Sequence, residues 1–284
     1  MPEGPEVLLT SQMLDVVMRR KKLYSVDIIS GRYQNKKPPG YDSFLKKLPM
    51  KIKCFKSKGK FMWIILEDKN KKEWFIWNTF GLSGAWTFEE TNHTRIIFRT
   101  KKSMMCYNDV RNFGTLKFSD DYQDLKKKLK TIAPDFLKSD KINMNKILTL
   151  NWPIVKILMD QNKIGSGIGN YLSSEILYRA KISPHRLGNS LSKKELKKLY
   201  TSIIYVMKLA YMNNNTGYMN DLDDKVKCVE KKNYHPEIKI KNKKFEFKVY
   251  GKKIDPHSNA IVKDKIVGSG STKRTTYWTP NIQS

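Results

Sequence analysis

Residues 51–66 read KIKCFKSKGKFMWIIL, and the neighbouring sequence repeats their texture. Lys51–Phe55 and Phe61–Leu66 are short runs of aromatic and β-branched residues. Trp74–Trp77, Arg95–Thr100 and Met104–Tyr107 continue the series, with Gly, Asn, Asp and Lys clusters between them. Short strands punctuated in this way predict an antiparallel sandwich or barrel over 22–118. Before it, residues 5–21 read as one helix, with Leu9, Met13, Val16 and Val17 at i, i+4, i+7 and i+8 on one apolar stripe.

From about residue 121 the period changes to that of helices. Tyr122–Ile132, Ile142–Leu150, Ile154–Asp160, Asn170–Ala180 and Ser192–Tyr211 are the expected segments. The last opens on the capping box Ser192-x-x-Glu195 and lines Leu196, Leu199, Ile203, Val206 and Ala210 along one side. Its Lys193, Lys194, Lys197 and Lys198 fit a solvated face. Residues 213–237 read as a mobile loop. Residues 238–284 alternate as a hairpin would, through Phe245, Phe247 and Val249, then Ile261, Val262, Ile266 and Val267, with Gly268-Ser269-Gly270-Ser271 as a turn or tip. The expected class is α+β, in three parts: 1–120, 121–237 and 238–284.

Composition narrows the function. The chain has 284 residues and a net charge of +28, from 55 Lys and Arg against 27 Asp and Glu. Such a surplus repels itself without a polyanion, so nucleic acid is the first candidate partner and an anionic membrane the second. No apolar run approaches the roughly 20 residues of a membrane span. The basic helices also lack an insertion face rich in Trp and Leu. The N-terminus shows no basic-then-apolar signal pattern, so an intracellular location is expected. Cys54, Cys106 and Cys228 are scattered and odd in number, which argues against a disulfide framework and for a reducing compartment.

The chain begins Met1-Pro2-Glu3-Gly4-Pro5-Glu6. Removal of Met1 makes Pro2 a terminal secondary amine, nucleophilic enough to form an iminium with a sugar or aldehyde carbon, with Glu3 beside it as acid or base. The same residues also suit an ordinary helix start. Gly165-Ser166-Gly167-Ile168-Gly169-Asn170 lies between two helical segments rather than after a strand, so it is neither a dinucleotide fingerprint nor a P-loop. Two readings stay open for it: a phosphate site at the next helix N-terminus, with Asn170 capping the helix and reaching the phosphate, or a tight helix–helix turn.

Taken in order, these segments resemble the Fpg/Nei family of DNA glycosylases. The resemblance is carried by Pro2–Glu6 and by Asp160-Gln161 followed by Gly167-Ile168-Gly169-Asn170-Tyr171 and Ser174-Glu175. Lys58-Gly59-Lys60-Phe61, Phe80-Gly81-Leu82-Ser83-Gly84 and Asp109-Val110-Arg111-Asn112-Phe113-Gly114 add to it. Tyr250-Gly251-Lys252 and Lys273-Arg274-Thr275-Thr276 complete it. It implies an N-terminal helix and β-sandwich, a helix-two-turn-helix region and a β-hairpin finger. Pro2 would attack C1′ of the damaged nucleotide, Glu3 would move protons at the opening sugar, and Lys60 would sit near the lesion phosphates. Glu6 resembles a supporting carboxylate and equally suits a plain helix face. Gly167, Asn170 and Arg274 would meet DNA phosphates. Leu82, Arg111 and Phe113 would fill the hole left by the extruded base. Outside the resemblance, Phe113 in a sheet protein is more often core.

The departures are informative. Leu82 stands for the commoner methionine, and Asn112 for a second arginine. The family's four finger cysteines would fall near His257, Ala260, Thr279 and Ile282, so the resemblance implies a zincless finger, with Tyr277 and Trp278 in its core. No metal and no cofactor are expected. The N-terminal motif and Leu172–Arg179 resemble the endonuclease VIII-like branch. That branch implies β,δ-elimination on double-stranded DNA carrying oxidised bases, mainly pyrimidines, or abasic sites. Single-stranded DNA remains an open alternative partner, and a monomer is expected. The competing class is a non-catalytic DNA-binding or architectural protein.

Overall fold

The structure is a computed structural model that describes residues 2–213, 227–241, 244–269 and 273–284. The chain divides into two compact units. As far as described, the first holds Pro2 and residues 6–131 and 227–230. The second holds residues 3–5, 132–213 and 231–284.

Helix α1 (Gly4–Met18), which lies in the first unit from Glu6 on, is followed there by β1 (Lys22–Ile28) and two short helices, α2 (Arg32–Asn35) and α3 (Tyr41–Leu45). Seven strands follow: β2 (Met50–Lys58), β3 (Phe61–Glu67), β4 (Glu73–Thr79), β5 (Gly84–Thr87), β6 (Thr94–Thr100), β7 (Met104–Asp109) and β8 (Thr115–Ser119). With β1 they form one eight-stranded antiparallel sheet in the order β5-β7-β6-β1-β2-β3-β4-β8. The sheet folds over itself as a sandwich. Trp86 of β5 lies 5.2 Å from the ring of Phe98 and donates its indole N–H to Asn78 of β4 at 3.0 Å. Phe98 in turn stacks on Phe118 of the other edge strand. These rings are fully buried and carry the core. Helix α4 (Tyr122–Thr131) closes the main part of the unit.

Two local expectations change. The apolar stripe of α1 was expected through Val16, yet Val16 is exposed while Leu14 and Met18 are buried. The helix is apolar around most of its circumference, so stripe counting alone does not select its buried side. Strands β1, β5 and β8 and the two short helices were not anticipated, because each is too short or too polar to show a period.

The second unit contains a 3₁₀ turn at Met144–Thr149 where a helix was expected over 142–150. Helices α5 (Ile154–Met159), α6 (Asn170–Ala180) and α7 (Lys193–Asn213) follow, then the hairpin of β9 (Val262–Val267) and β10 (Arg274–Trp278). The capping box forms: Ser192 N–H donates to Glu195 at 2.8 Å, and Glu195 N–H returns to Ser192 Oγ at 3.2 Å. The apolar side of α7 is buried as its period predicts, and Lys193, Lys194, Lys197 and Lys198 are exposed. Residues 245–249 are not a strand, although they alternate like one. The N–H groups of Lys248 and Val249 go to a buried carboxylate instead, as described below. The expected loop at 213–237 and the tip at 268–271 lie in part outside the described residues. Among the described residues no helix is long and apolar enough to cross a membrane.

Candidate active site and nucleic-acid-binding loops

Glu3 is 1% exposed, and its carboxylate sits at the N-terminus of α6. It accepts the backbone N–H of Gly169 at 2.5 Å, of Tyr171 at 3.0 Å and of Leu172 at 3.4 Å. These are donors that the first turn of a helix cannot satisfy internally, and the helix dipole favours the negative charge there. The anion at this helix end is therefore the protein's own carboxylate. The glycines allow the approach: Gly4 N–H donates to Gly167 O at 2.8 Å, and a Cβ on Gly4 would lie 2.9 Å from Gly167 Cα. Gly167 N–H is taken by the Gln161 side chain at 2.9 Å. Two readings stand open for this segment, and in the structure the N–H groups of Ser166, Gly167 and Gly169 are engaged within the unit.

Asn170 does not cap α6; Glu3 does. The Asn170 amide instead donates to Thr275 O at 2.9 Å, next to Arg274 at the start of β10. Its Oδ1 is buried with no partner among the described residues. The helix start and the hairpin arginine are thereby brought together. Further along α6, the buried Glu175 accepts N–H groups from Lys248, Val249 and Tyr250 at 3.0, 3.0 and 2.8 Å. Burial pushes this carboxyl up, against the opposing pull of those three donors. In the sequence Glu175 stands only within the motif; the clamp it forms on the Tyr250 loop exists only in the fold.

In the first unit, Pro2 and Glu6 are buried, Glu6 in the first turn of α1. Lys60 is half-buried in the turn between β2 and β3. Leu82, Arg111 and Phe113 lie on two loops joined by Asp109, which is 1% exposed. Asp109 accepts the Ser83 hydroxyl at 2.5 Å and Gly114 N–H at 2.7 Å, while Ser83 Oγ accepts Arg111 N–H at 2.9 Å. A Cβ at Gly114 would run into the Tyr107 hydroxyl. Asn112 has φ 56°, a left-handed conformation that asparagine tolerates better than arginine. Phe113 is 53% exposed, not core, and the Arg111 guanidinium lies 5.0 Å from its ring centre. Val110 on the same tied loop is exposed as well.

Asp109→Asn should place an amide N–H against the Gly114 N–H. The expected loss is about 1–3 kcal/mol of stability, read as a drop of several degrees in Tm. An unchanged Tm would mean that the two loops are not tied through this carboxylate.

Profiles of the N-terminal, H2TH and C-terminal domains of formamidopyrimidine-DNA glycosylase match residues 1–116, 132–220 and 236–284. A formamidopyrimidine-DNA glycosylase from Prochlorococcus marinus subsp. pastoris is 30% identical over 216 residues, covering 71% of this chain and 68% of that protein. The chain belongs to the formamidopyrimidine-DNA glycosylase family. The Listeria monocytogenes member is 26% identical over an alignment that spans 100% of both chains. Among solved structures, the Lactococcus lactis Fpg complex with an oxidised-pyrimidine-containing DNA superposes with a TM-score of 0.79 at 21% identity, over 99% of each chain. The complex of the same protein with abasic-site DNA gives 0.77 at 21%. At that identity the likeness establishes the fold: sandwich, helix-two-turn-helix region and hairpin.

Within this glycosylase family the finger is where the chain departs. His257, Ala260, Thr279 and Ile282 offer one imidazole, one hydroxyl and two alkyl groups, which do not fit a tetrahedral zinc ion. Other groups organise the same region. Asp255 accepts the N–H groups of His257 and Asn259, both at 2.8 Å, and the Tyr178 hydroxyl at 3.1 Å. Gln283 accepts Thr279 N–H at 2.8 Å and donates to Ile182 O at 3.0 Å. Asp264 on β9 bonds His185 Nε2 at 2.8 Å and accepts the Trp278 indole N–H at 2.7 Å. Tyr277 and Trp278 are half-buried rather than core, since each keeps a polar or edge contact.

The His185 bond holds the Asp264 carboxyl below its ordinary value. A carboxylate with a lowered folded pKa contributes stability above its unfolded value near 3.9, and that stability is lost as pH falls through the lower folded value. Acid titration below about pH 4 should therefore release Trp278, read by its fluorescence, and Asp264→Asn should flatten the transition. A transition of unchanged size in that variant would assign it to other carboxylates.

Proposed function

We propose that this glycosylase-family protein is a bifunctional DNA glycosylase and abasic-site lyase of base-excision repair. The observation that carries the reading is Glu3: its carboxylate is buried and fixed by three N–H groups, which anchors the chain one residue from Pro2. With Met1 removed, the Pro2 nitrogen attacks C1′ of the damaged nucleotide and the base leaves with a proton. Glu3 serves the opening sugar as acid and then base. The resulting iminium withdraws electrons from C1′, so a C2′ hydrogen is lost as a proton and the 3′ phosphate departs. A second elimination on the 5′ side completes β,δ-cleavage. Lys60 assists at the phosphates, and Glu6 supports the N-terminal helix. Arg274 and Asn170 engage the backbone, and Leu82, Arg111 and Phe113 occupy the vacated stack.

The N-terminal motif and the α6 sequence favour the endonuclease VIII-like branch. We infer oxidised pyrimidines as the main substrates, with ring-opened purines and hydantoins beside them. The wild-type Lactococcus lactis relative has been captured with an oxidised-pyrimidine DNA, and a point mutant of it with a Fapy-dG DNA. Excision from duplexes carrying 5-hydroxyuracil, a ring-opened guanine or no lesion, at one fixed salt concentration, tests this. The expected preference for lesion DNA is about tenfold or more, a difference of roughly 1.4 kcal/mol. Equal affinity for all three, without base release, would favour an architectural protein held by its +28 charge.

A further inference from the structure

The first unit carries a groove of about 580 Å³ that has no part in the chemistry above. Arg32, Lys36, Lys37, Lys117 and Lys128 line it, and no acidic residue does. Lys37 is paired with Asp42 at 2.7 Å, and Lys117 is paired with Asp124, both acids lying outside the lining. Arg32, Lys36 and Lys128 have no ion pair among the described residues. The half-buried Trp77 and the buried Tyr33 and Phe61 supply the apolar wall. Each ring carries a cation: Arg32 lies 4.9 Å from the Tyr33 ring centre, Lys128 5.8 Å from Phe61, and Lys117 4.3 Å from Trp77. The Trp77 indole N–H is buried without an acceptor among the described residues.

We propose that this groove binds an unpaired stretch of a DNA strand. A part-exposed indole set among cations, with no carboxylate in the lining, is what a single strand requires: a ring for a base and charge for phosphates. The groove's volume of about 580 Å³ has room for nucleotide-sized groups. An acidic peptide would use the cations and leave the rings without a role. The groove also continues a surface already described. The Arg32 guanidinium and the Tyr33 hydroxyl both donate to Gly114 O, immediately after the exposed Phe113. Thr79 and Thr115, which flank the Leu82 and Phe113 loops, line it too. A strand unpaired where Phe113 wedges the stack is thereby offered a place to lie. Its biological occupant rests on the proposed glycosylase activity, whereas its ability to bind a single strand does not.

The test compares full-length protein with Lys36→Ser/Lys128→Ser and with a charge-matched control, Lys193→Ser/Lys197→Ser on the exposed face of α7. All four lysines are exposed, so neither change disturbs the core. Affinity for a short oligothymidylate and for an undamaged duplex is measured across a salt series. The groove variant should lose about tenfold or more on oligothymidylate, with the log–log salt slope reduced by about 1.4, roughly 0.7 for each single-strand phosphate contact. On duplex it should match the control. A Trp77→Phe protein should lose part of the fluorescence quench that oligothymidylate produces. Equal losses on single strand and duplex, or losses no larger than the control's, would overturn the groove. Excision from lesion duplex is assayed on the same wild-type protein. No excision with the oligothymidylate result intact would reject the glycosylase reading alone.

Discussion

Protein that retains Met1 should form no borohydride-stable adduct with abasic-site DNA, and its strand cleavage should fall on the order of 10³-fold or more, as when a catalytic nucleophile is removed. The reason is valence. With Met1 attached, the Pro2 nitrogen is an amide, its lone pair delocalised into the carbonyl, and it cannot form an iminium. Borohydride delivers hydride to the iminium carbon and fixes the C1′–N bond, so adduct formation reports this intermediate directly. Intact mass assigns the N-terminus of each preparation. Pro2→Gly, processed to a primary amine, should still trap, but more slowly. Trapping by Met1-retaining protein would move the nucleophile to another amine, and no trapping by fully processed protein would remove the lyase mechanism.

Glu3→Gln should lower base release and strand cleavage by about 10²- to 10⁴-fold, the range for loss of a general acid or base. The same change also touches the fold. Glu3 accepts three backbone N–H groups at α6, and a glutamine turns one acceptor oxygen into a donor facing a donor. That mismatch costs about 1–3 kcal/mol. The two effects separate by measurement: Tm reports the cap, and single-turnover cleavage at saturating lesion duplex reports the proton transfer. Glu3→Asp keeps the charge but is one methylene short of the helix end, so it should lose Tm as well. If Glu3→Gln lost Tm but cleaved DNA at the wild-type rate, Glu3 would be a cap alone.

Much of this was readable because it is local. The strands at 51–66 announce themselves through β-branched and aromatic runs around Lys58-Gly59-Lys60, and α7 through its capping box and the period of Leu196 to Ala210. Short elements such as β5 were not readable, because Gly84–Thr87 has too few residues to show a period. Residues 245–249 show the converse error. Their alternation is genuine, with Phe245 and Val249 buried, but at its end Glu175 takes the N–H groups of Lys248, Val249 and Tyr250. Nothing in a linear pattern reveals an acceptor 73 residues away.

The sequence by itself determined the chemistry available to this protein: a proline and a glutamate at the N-terminus, a surplus of cations, and a finger without cysteines. Those are properties of residue type and order. The tertiary structure decided which partner each group meets. It gave the helix N-terminus of α6 to Glu3 rather than to an external phosphate, turned Phe113 outward on a loop tied by Asp109, and bound the hairpin through Asp264 and His185. Each outcome depends on which buried donors find acceptors, and that is settled only when residues distant in the chain are packed together out of water.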